Sequence, residues 1–419
     1  WVYKSNWLSW KQKWLGIWRS WVMVPSDWKQ TPLSELTKEK ISYGIVQAGP
    51  HVSNGVPYIK SSNVGGEIDV KSLQKTSQEI HYKYRRSAVH PNDIIFSLRG
   101  NIARTSIVPY SLPEANLTQG TARISVNDTN DMKFIFFQLA STPIINRINA
   151  LSKGSTFKEI SLEELRKVKL PEAPIEEQRK ISQILSTWDK AISTTESLIA
   201  NSQQQKKSLM QQLLTGKKRF AEFDREWEKV RLGDITEINS GGTPKSSVTE
   251  YYGGNISWVS IADMTKHGKW IFKTGKNISQ LGLENSSARL YPVNTVLYAM
   301  YASIGECSIA KIELTSSQAI LGIRVGESLN HLYLYYFLSS LKDKIKLLGQ
   351  QGTQANLNAG MVKDFKFKLP TIEEQQKIAS VLTTADKEIE NLQQKLTYLK
   401  QEKKALMQQL LTGKRRVMI

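Results

Sequence analysis

Apolar residues recur at alternating four- and three-residue intervals in two separate stretches of the chain. In the later stretch they fall at Ile378, Leu382, Ala385, Ile389, Leu392, Leu396, Leu399, Leu406 and Leu410, with Lys403 in the remaining slot. The earlier stretch reads Ile181, Leu185, Trp188, Ile192, Thr195, Ile199, Ser202, Lys206, Leu209 and Leu213. This is a heptad seam, the edge along which one helix packs against another. Pro174 and Pro370 sit just before the stretches, and Thr215-Gly216 and Thr412-Gly413 close them. Glycine there supplies the left-handed residue that ends a helix. Each stretch therefore predicts a helix of ~37–40 residues, extending ~55–60 Å at 1.5 Å per residue. Seams matching in register and length predict that the two helices pair with each other, antiparallel. The alternative is two separate coiled-coil stretches that recruit other proteins. Thr195 and Ser202 weaken the middle of the first seam, whose completion falls to its twin or to a partner. Lys206 and Lys403 read as local register devices.

Ahead of each helix the pattern changes to short β-branched and aromatic runs punctuated by Gly, Pro, Asn and Ser. In the first block these are Val56-Pro57-Tyr58-Ile59, Asp93-Ile94-Ile95-Phe96-Ser97 and Ala122-Arg123-Ile124-Ser125-Val126, followed by helix around Phe134–Asn146. In the second they are Ile256-Ser257-Trp258-Val259, Pro292 to Tyr298 and Leu321-Gly322-Ile323-Arg324-Val325, followed by helix around Leu332–Leu347. Strands joined by turns, then helix, is the same order of events twice.

The repetition is literal at the helices. Ile175-Glu176-Glu177-Gln178 returns as Ile372-Glu373-Glu374-Gln375, and Leu209-Met210-Gln211-Gln212-Leu213-Leu214-Thr215-Gly216-Lys217 as Leu406-Met407-Gln408-Gln409-Leu410-Leu411-Thr412-Gly413-Lys414, both at an offset of 197 residues. That period exceeds any solenoid repeat and marks a duplicated domain plus helix. The expected fold is α+β: two similar mixed α/β domains separated by two long helices paired as an antiparallel coiled coil, with a pseudo-two-fold relation. The segments are 1–24, 25–171, 172–220, 221–370 and 371–419. Glu176, Glu177, Glu373 and Glu374 open the helices and read as dipole partners or subunit contacts.

Composition narrows the partner. The 419 residues carry 57 Lys+Arg against 38 Asp+Glu, a net +19. Such an excess favours a polyanion, nucleic acid first and an anionic membrane surface second. One cysteine, Cys307, excludes an internal disulfide and a cysteine-cluster metal site, and fits a cytoplasmic protein. The five histidines lack metal-ligand spacing, and no apolar run approaches the ~18–20 residues of a membrane span. In segment 1–24, Trp7, Trp10, Trp14, Trp18 and Trp21 form one face of a basic amphipathic helix. Docking on the rest of the protein, sequence foreign to the natural start and a membrane-interface role all fit it.

No catalytic motif is present. Gly216-Lys217 and Gly413-Lys414 lack the upstream glycine of a phosphate-binding loop, and no Gly-rich strand-to-helix turn or Asn-Pro-Pro-aromatic motif occurs. A basic, duplicated chain without such motifs reads as a recognition module. The order of block, Ile-Glu-Glu-Gln helix ending Leu-Leu-Thr-Gly, a second block opening Trp227-Glu228-Lys229-Val230-Arg231-Leu232-Gly233-Asp234-Ile235, and a second matching helix resembles the specificity subunit of type I restriction–modification systems. Pro25-Ser26-Asp27-Trp28-Lys29 resembles the family's usual start, and the likeness runs from Pro25 to Gly413. It implies a non-catalytic subunit whose two target-recognition domains each read half of a bipartite asymmetric site in double-stranded DNA. The helices would set the spacer and dock two modification (adenine methyltransferase) subunits, joined by restriction (translocase and nuclease) subunits. S-adenosylmethionine, ATP and Mg2+ belong on those partners, with no cofactor or metal in this chain. The rival is a basic coiled-coil scaffold binding RNA or membrane without sequence preference.

Polar and basic residues in loops beside strands can reach phosphates and base edges. In the first block the candidates are Lys60, Ser61, Asn63, Arg85, Arg86, Arg99, Asn101, Arg104, Lys153, Thr156 and Lys158. In the second they are Ser260, Asp263, Lys266, Tyr298, Tyr301, Ser303, Thr353, Gln354 and Asn356.

Overall fold

The computed structural model describes residues 24–154, 158–350 (side chains to 345) and 357–419. The chain divides into two compact units. Unit 1 takes the chain up to Thr195 together with Lys395–Ile419, and unit 2 is Glu196–Gln394. Segment 1–24, apart from Val24, lies outside the described residues.

Unit 1 holds β1 (Lys29–Pro32), β2 (Ser42–Tyr43), β3 (Val56–Ile59), β4 (Lys75–Thr76), β5 (Ile94–Ser97), β6 (Thr105–Ile107), β7 (Asn116–Leu117), β8 (Thr121–Ile124) and β9 (Lys169–Glu172). They form an antiparallel sheet ordered β2-β8-β5-β6, a smaller sheet β4-β3-β7 whose β3 and β7 are parallel, and the ribbon β1-β9. The ribbon brings the start and end of the block together. Strand β5 is buried on both faces: Ile94 and Phe96 join the main core with Phe134 and Leu139, while Ile95 joins a second core with Ile59 and Leu117. Alternate residues of a strand face opposite ways, so a continuous apolar run marks a strand between two cores. The expected helix around Phe134–Asn146 is two, Met132–Leu139 and Thr142–Leu151. Pro143 in the first turn of the second helix explains the break, since proline donates no amide and starts helices well.

Unit 2 repeats the plan with β10 (Glu228–Arg231), β11 (Thr236–Ser240), β12 (Tyr252–Val259), β13 (Trp270–Ile271), β14 (Lys276–Ile278), β15 (Val296–Ala299), β16 (Cys307–Ala310), β17 (Thr315–Ser316), β18 (Ile320–Val325) and β19 (Lys366–Leu369). The small sheet is β14-β12-β17, the ribbon β10-β19, and the main sheet β11-β18-β15-β16-β13. The extra edge strand β13 has no counterpart in the main sheet of unit 1. The following helix runs unbroken over His331–Gln350.

The seam helices span Ile175–Leu213 and Ile372–Leu410, 39 residues each. No seam residue is fully exposed: Ile181, Leu185, Leu213, Ile378, Leu382 and Leu410 are buried, and Trp188, Ile192, Ile199, Leu209, Ile389, Leu392, Leu396, Leu399 and Leu406 are half-buried. Gly216 and Gly413 take φ values of +70° and +69°, as the helix ends require. In unit 1 the first half of the earlier helix packs against the last half of the later one, with Ile181, Leu185, Leu410 and Leu411 in one cluster and Lys403 bonded to Asp189. In unit 2 the complementary halves pack likewise: Leu213, Ile378 and Leu382 share a cluster, and Lys206 meets Asp386 at 2.5 Å. Rising numbers on one helix meet falling numbers on the other, so each pairing is antiparallel. Both seam lysines fix register through a cross-helix aspartate. Thr195 proves among the most buried of the seam residues, its hydroxyl donating to Ala191 O at 2.8 Å.

The helix starts correct the expectation for Glu177 and Glu374. Both carboxylates are fully buried. Glu177 accepts from Trp28 Nε1 at 3.1 Å and from Arg416 Nε and Nη2 at 2.8 and 2.7 Å, while Arg416 also grips Asp27. Glu374 accepts from Trp227 Nε1 at 3.0 Å and from Arg219 Nε and Nη2 at 3.0 and 2.8 Å. They are internal ties, which their place in a helix's first turn does not reveal. The neighbouring Gln178 and Gln375 are buried too, and accept from the backbone amides of Asp131 and Asn330 at 2.9 and 2.8 Å. Glu176 stays exposed, paired with Arg179 at 2.7 Å.

Candidate nucleic-acid interface

A polar cluster of unit 1 is built on the turn from β5 to β6, residues 98–104, where Asn101 and Arg104 are exposed. Two residues of that turn are left-handed, Gly100 at φ +72° and Ala103 at +64°. A non-glycine residue there is uncommon and persists only where surrounding bonds hold it. Those bonds are present: Ala103 N–H donates to Ser97 O, Ser97 N–H to Arg104 O, Leu98 N–H to Gly120 O and Ile160 N–H to Leu98 O, all between 2.9 and 3.1 Å. Glycines let neighbouring segments approach. A Cβ on Gly120 would lie 3.2 Å from Arg99 Cγ and 3.6 Å from Ser61 Oγ, and one on Gly65 would lie 2.6 Å from Arg104 Cδ. The turn thus gathers Ser61, Arg99, Asn101 and Arg104. Lys153 joins them through its backbone pairing with Glu159, which also bridges to Arg99.

Within the cluster the side chains differ in freedom. Arg99 Nη2 lies 3.6 Å from Glu159 Oε1, and its Nε is enclosed with no partner among the described residues. Asn63 caps its own short turn by accepting from Lys60 N–H, and Lys60 Nζ donates to Gln74 Oε1 at 2.6 Å. Asn101, Arg104, Lys153 and Lys158 are exposed. Arg85 and Arg86 stand apart in a turn after the helix Gln78–Lys83, where Arg85 stacks on the exposed Tyr82 ring at 4.3 Å. Sequence reading passed over Tyr82, although the run His81-Tyr82-Lys83-Tyr84-Arg85-Arg86 interleaves aromatic and basic residues.

The turn from β15 to β16 in unit 2 has the same backbone. Ala302 (φ +58°) and Gly305 (φ +78°) are its left-handed residues, Gly305 N–H donates to Ala299 O, Ala299 N–H to Glu306 O, and Met300 N–H to Ala319 O. Gly-Asn-Ile-Ala-Arg (100–104) therefore matches Ala-Ser-Ile-Gly-Glu (302–306), with glycine and alanine exchanged. The shared isoleucine, Ile102 and Ile304, is the signal in the sequence that would have aligned them. Its side chains contrast: Tyr301 is exposed, Ser303 half-buried, and Glu306 is bonded to Lys342 in the helix His331–Gln350.

Two candidates of unit 2 are misplaced as surface contacts. Tyr298 is fully buried in β15, edge-on to Phe365 at 6.5 Å, and its hydroxyl finds no partner among the described residues. Val296 and Tyr298 face one core of the unit while Leu297 and Ala299 face the other, so this strand has no outer face. Asp263 is buried as the reciprocal cap of Ser260, and its Oδ1 accepts from Gly275 N–H at 2.8 Å. Burial opposes its charge, but the bonds from Ser260 and Gly275 prevail and hold its pKa below the ordinary carboxylate value. Lys266 is exposed in the last turn of that capped helix, Ile261–His267. Thr156, Thr353, Gln354 and Asn356 lie outside the described residues.

Unit 2 also holds a groove of about 890 Å³ lined by the two long helices, β13 and the helix His331–Gln350. At its base Lys269 donates to Tyr336 Oη at 2.6 Å and Asp386 Oδ2 at 3.0 Å, and sits over the rings of Trp270, Tyr335 and Tyr336. Burial drives the Lys269 pKa down against the attraction of Asp386. Among the described residues no group of His, Cys, Asp and Glu could hold a metal ion, and no helix is long and apolar enough to cross a membrane.

The model of the family described as the type I restriction modification DNA specificity domain matches the chain twice, over residues 25–201 and 224–401. A putative type I restriction enzyme MjaX specificity subunit of Methanocaldococcus jannaschii is 26% identical over 418 residues, covering 94% of this chain and 95% of the relative. The MjaIX specificity subunit of the same organism is 31% identical over 175 residues, 41% of this chain and 40% of the relative. A solved structure described under complex assembly and conformational transition of the type I R-M system shares the fold. Its TM-score is 0.62 at 19% identity, covering 94% of this chain and all of the other.

Proposed function

We infer from the chain's membership of the type I restriction–modification DNA specificity family, to which it belongs, that it is the DNA sequence-reading subunit of such a complex. The observation that carries this reading is the turn built twice on one backbone and furnished with different polar side chains. A shared frame with divergent tips suits two readers of unequal half-sites. In unit 1 the turn offers Arg99, Asn101 and Arg104, and in unit 2 Tyr301 and Ser303. Exposed lysines such as Lys153, Lys158 and Lys266 supply phosphate contacts, which position a duplex without specifying it.

The chain itself contributes recognition. Adenine methylation, translocation and cleavage belong to modification and restriction subunits, which carry S-adenosylmethionine, ATP and Mg2+ in the cytoplasm. The long helices are the proposed platform for two modification subunits, and their length the proposed determinant of the spacer. Each is a single helix contributing residues to both units, which supports that role.

Selection from a random duplex pool, using the purified chain with its methyltransferase partner, tests the reading. Enrichment of two short defined segments flanking a fixed undefined spacer is the expected result. Salt-sensitive retention of DNA with no enriched motif would favour the basic scaffold instead.

A further inference from the structure

We propose that the turn 98–104 is the specificity-determining element of unit 1, with Arg104 reading a guanine and Arg99 positioning the turn. This rests on the DNA-reading function inferred above and divides the labour within it.

The two arginines are held differently. The Arg99 stem packs against Gly120, and its guanidinium turns to Glu159 at 3.6 Å with Nε enclosed. The backbone of Arg99 also bridges to that of Glu159, which in turn pairs with Lys153, so Arg99 ties the turn to that segment through its main chain and packed stem. Arg104 instead is exposed and has neither an ion pair nor a side-chain hydrogen bond among the described residues. It is nonetheless directed, because its Cδ lies only 2.6 Å from where a Cβ on Gly65 would be, a space left by the glycine. Bare glycine backbone beneath the stem and a bonded left-handed turn at its root limit the arcs its tip can sweep. A pre-directed guanidinium loses less freedom on binding. Its fork of donors matches the O6 and N7 acceptors of guanine in the major groove.

Unit 2 supplies the contrast. Its turn has the same backbone, but the residue at the Arg104 position is Glu306, engaged by Lys342. That turn presents the hydroxyls of Tyr301 and Ser303 and no cation of its own. The half-site read by unit 2 therefore lacks the guanine requirement that Arg104 imposes on the half-site of unit 1.

Motif selection with the chain in complex with its methyltransferase partner decides the matter, run on the wild type and on Arg104→Ala, Arg104→Lys, Arg99→Ala and Gly65→Ala. Arg104→Ala is expected to lower the preference for guanine at one base pair of one half-site by about 10- to 100-fold, the discrimination of a bidentate arginine. The other half-site should be unaltered. Arg104→Lys keeps the charge and loses the fork, so it should lose the same preference with most of the affinity retained. Gly65→Ala should imitate it by displacing the stem; alanine is strained at the φ of +121° that Gly65 adopts, so its melting temperature should fall and its motif is read well below that temperature. Arg99→Ala should weaken binding without changing which bases are selected. Retention of the wild-type motif by Arg104→Lys, with a uniform affinity loss in Arg104→Ala, would make Arg104 a phosphate contact and overturn the proposal. Relaxation of the motif by Arg99→Ala alone would overturn it too. A wild-type complex that selects no bipartite motif would instead overturn the DNA-reading function beneath it.

Discussion

In unit 1 the buried Glu177 carboxylate holds Trp28 and Arg416, and in unit 2 Glu374 holds Trp227 and Arg219 in the same way. Asp189 meets Lys403 as Asp386 meets Lys206, and Gln178 caps the amide of Asp131 as Gln375 caps that of Asn330. The turn tips contrast as sharply as these ties agree. Position 104 is a cation with no ion pair among the described residues of unit 1, while its counterpart 306 is an anion bonded to Lys342 in unit 2. Among the described residues, strand β13 and the lysine beside it, Lys269, have no counterpart in unit 1. The duplication has thus kept the contacts that close each unit and released those that face outward. The closing contacts also cross the repeats, since Glu177 belongs to the first copy while Arg416 follows the helix of the second. Neither unit is completed by its own copy of the sequence.

Separate closure of the units predicts the largest effects. Glu374→Ala leaves Trp227 Nε1 and Arg219 facing a buried void, and Glu177→Ala does the same to Trp28 and Arg416. The arginines left behind are partly exposed and Arg416 keeps Asp27, so the main loss is the indole's hydrogen bond to a charged acceptor, about 1.5–3 kcal/mol. Each variant should lower only its own unit's melting transition in calorimetry. Cys307, buried in unit 2 with burial pushing its thiol pKa up, gives a second readout. Its alkylation should accelerate in Glu374→Ala and stay near the wild-type rate in Glu177→Ala. Equal acceleration in both would mean that the two ties do not act unit by unit.

The seam lysines sharpen the comparison at a smaller scale. Lys403→Met removes the only ion pair found for Asp189 among the described residues, whereas Lys206→Met leaves Asp386 with Lys269 and the hydroxyl of Tyr336. We expect the first to cost about 1 kcal/mol and the second less, as for half-exposed pairs. Urea unfolding that ranks Lys206→Met as the costlier change would contradict the backup role of Lys269.

Much of this architecture was legible because it is local or periodic. Heptad spacing gave both helices, and Thr-Gly gave their ends, since a seam and a left-handed cap are properties of adjacent residues. Contacts between distant segments were not legible. Nothing beside Glu177 in the chain indicates Trp28 or Arg416, so it read as a dipole partner. Tyr298 differs: the apolar run Val296-Leu297-Tyr298-Ala299 itself marks a strand covered on both faces, so its burial was legible although it was named as a contact. For the candidate interface, Arg99, Asn101, Arg104, Tyr301 and Ser303 were named from loop position, while the division of labour proposed for them depends on Glu159, Gly65 and Lys342. Those partners meet the turns only through the fold.

The smallest effect separates the units by pH. Lys269 is held charged at a cost, since burial lowers its pKa more than Asp386 restores it. Between its depressed folded value and the unfolded value of about 10.4, the unfolded chain binds a proton that the folded one does not, so stability rises with pH. Tyr336 acts oppositely, because burial and then Asp386 push its pKa up and favour the folded state's protonated form. The rise in unit 2 is therefore expected on the alkaline side, ending before unfolded tyrosine begins to ionise near about pH 10. On the acid side, burial works against the Asp386 carboxylate, but the bond from Lys206, helped by Tyr336 and Lys269, sets its pKa below the ordinary value. Its contribution is present above the unfolded pKa and is lost as pH falls through the folded one. Lys269→Met should abolish the alkaline rise, change stability at pH 7 by under about 1 kcal/mol, and move the acid loss to higher pH because Asp386 keeps one lysine fewer. Among the described residues of unit 1 no second lysine pairs with Asp189, so its melting transition serves as the internal reference. An alkaline rise that survives in Lys269→Met, or that appears equally in unit 1, would assign the effect to another group.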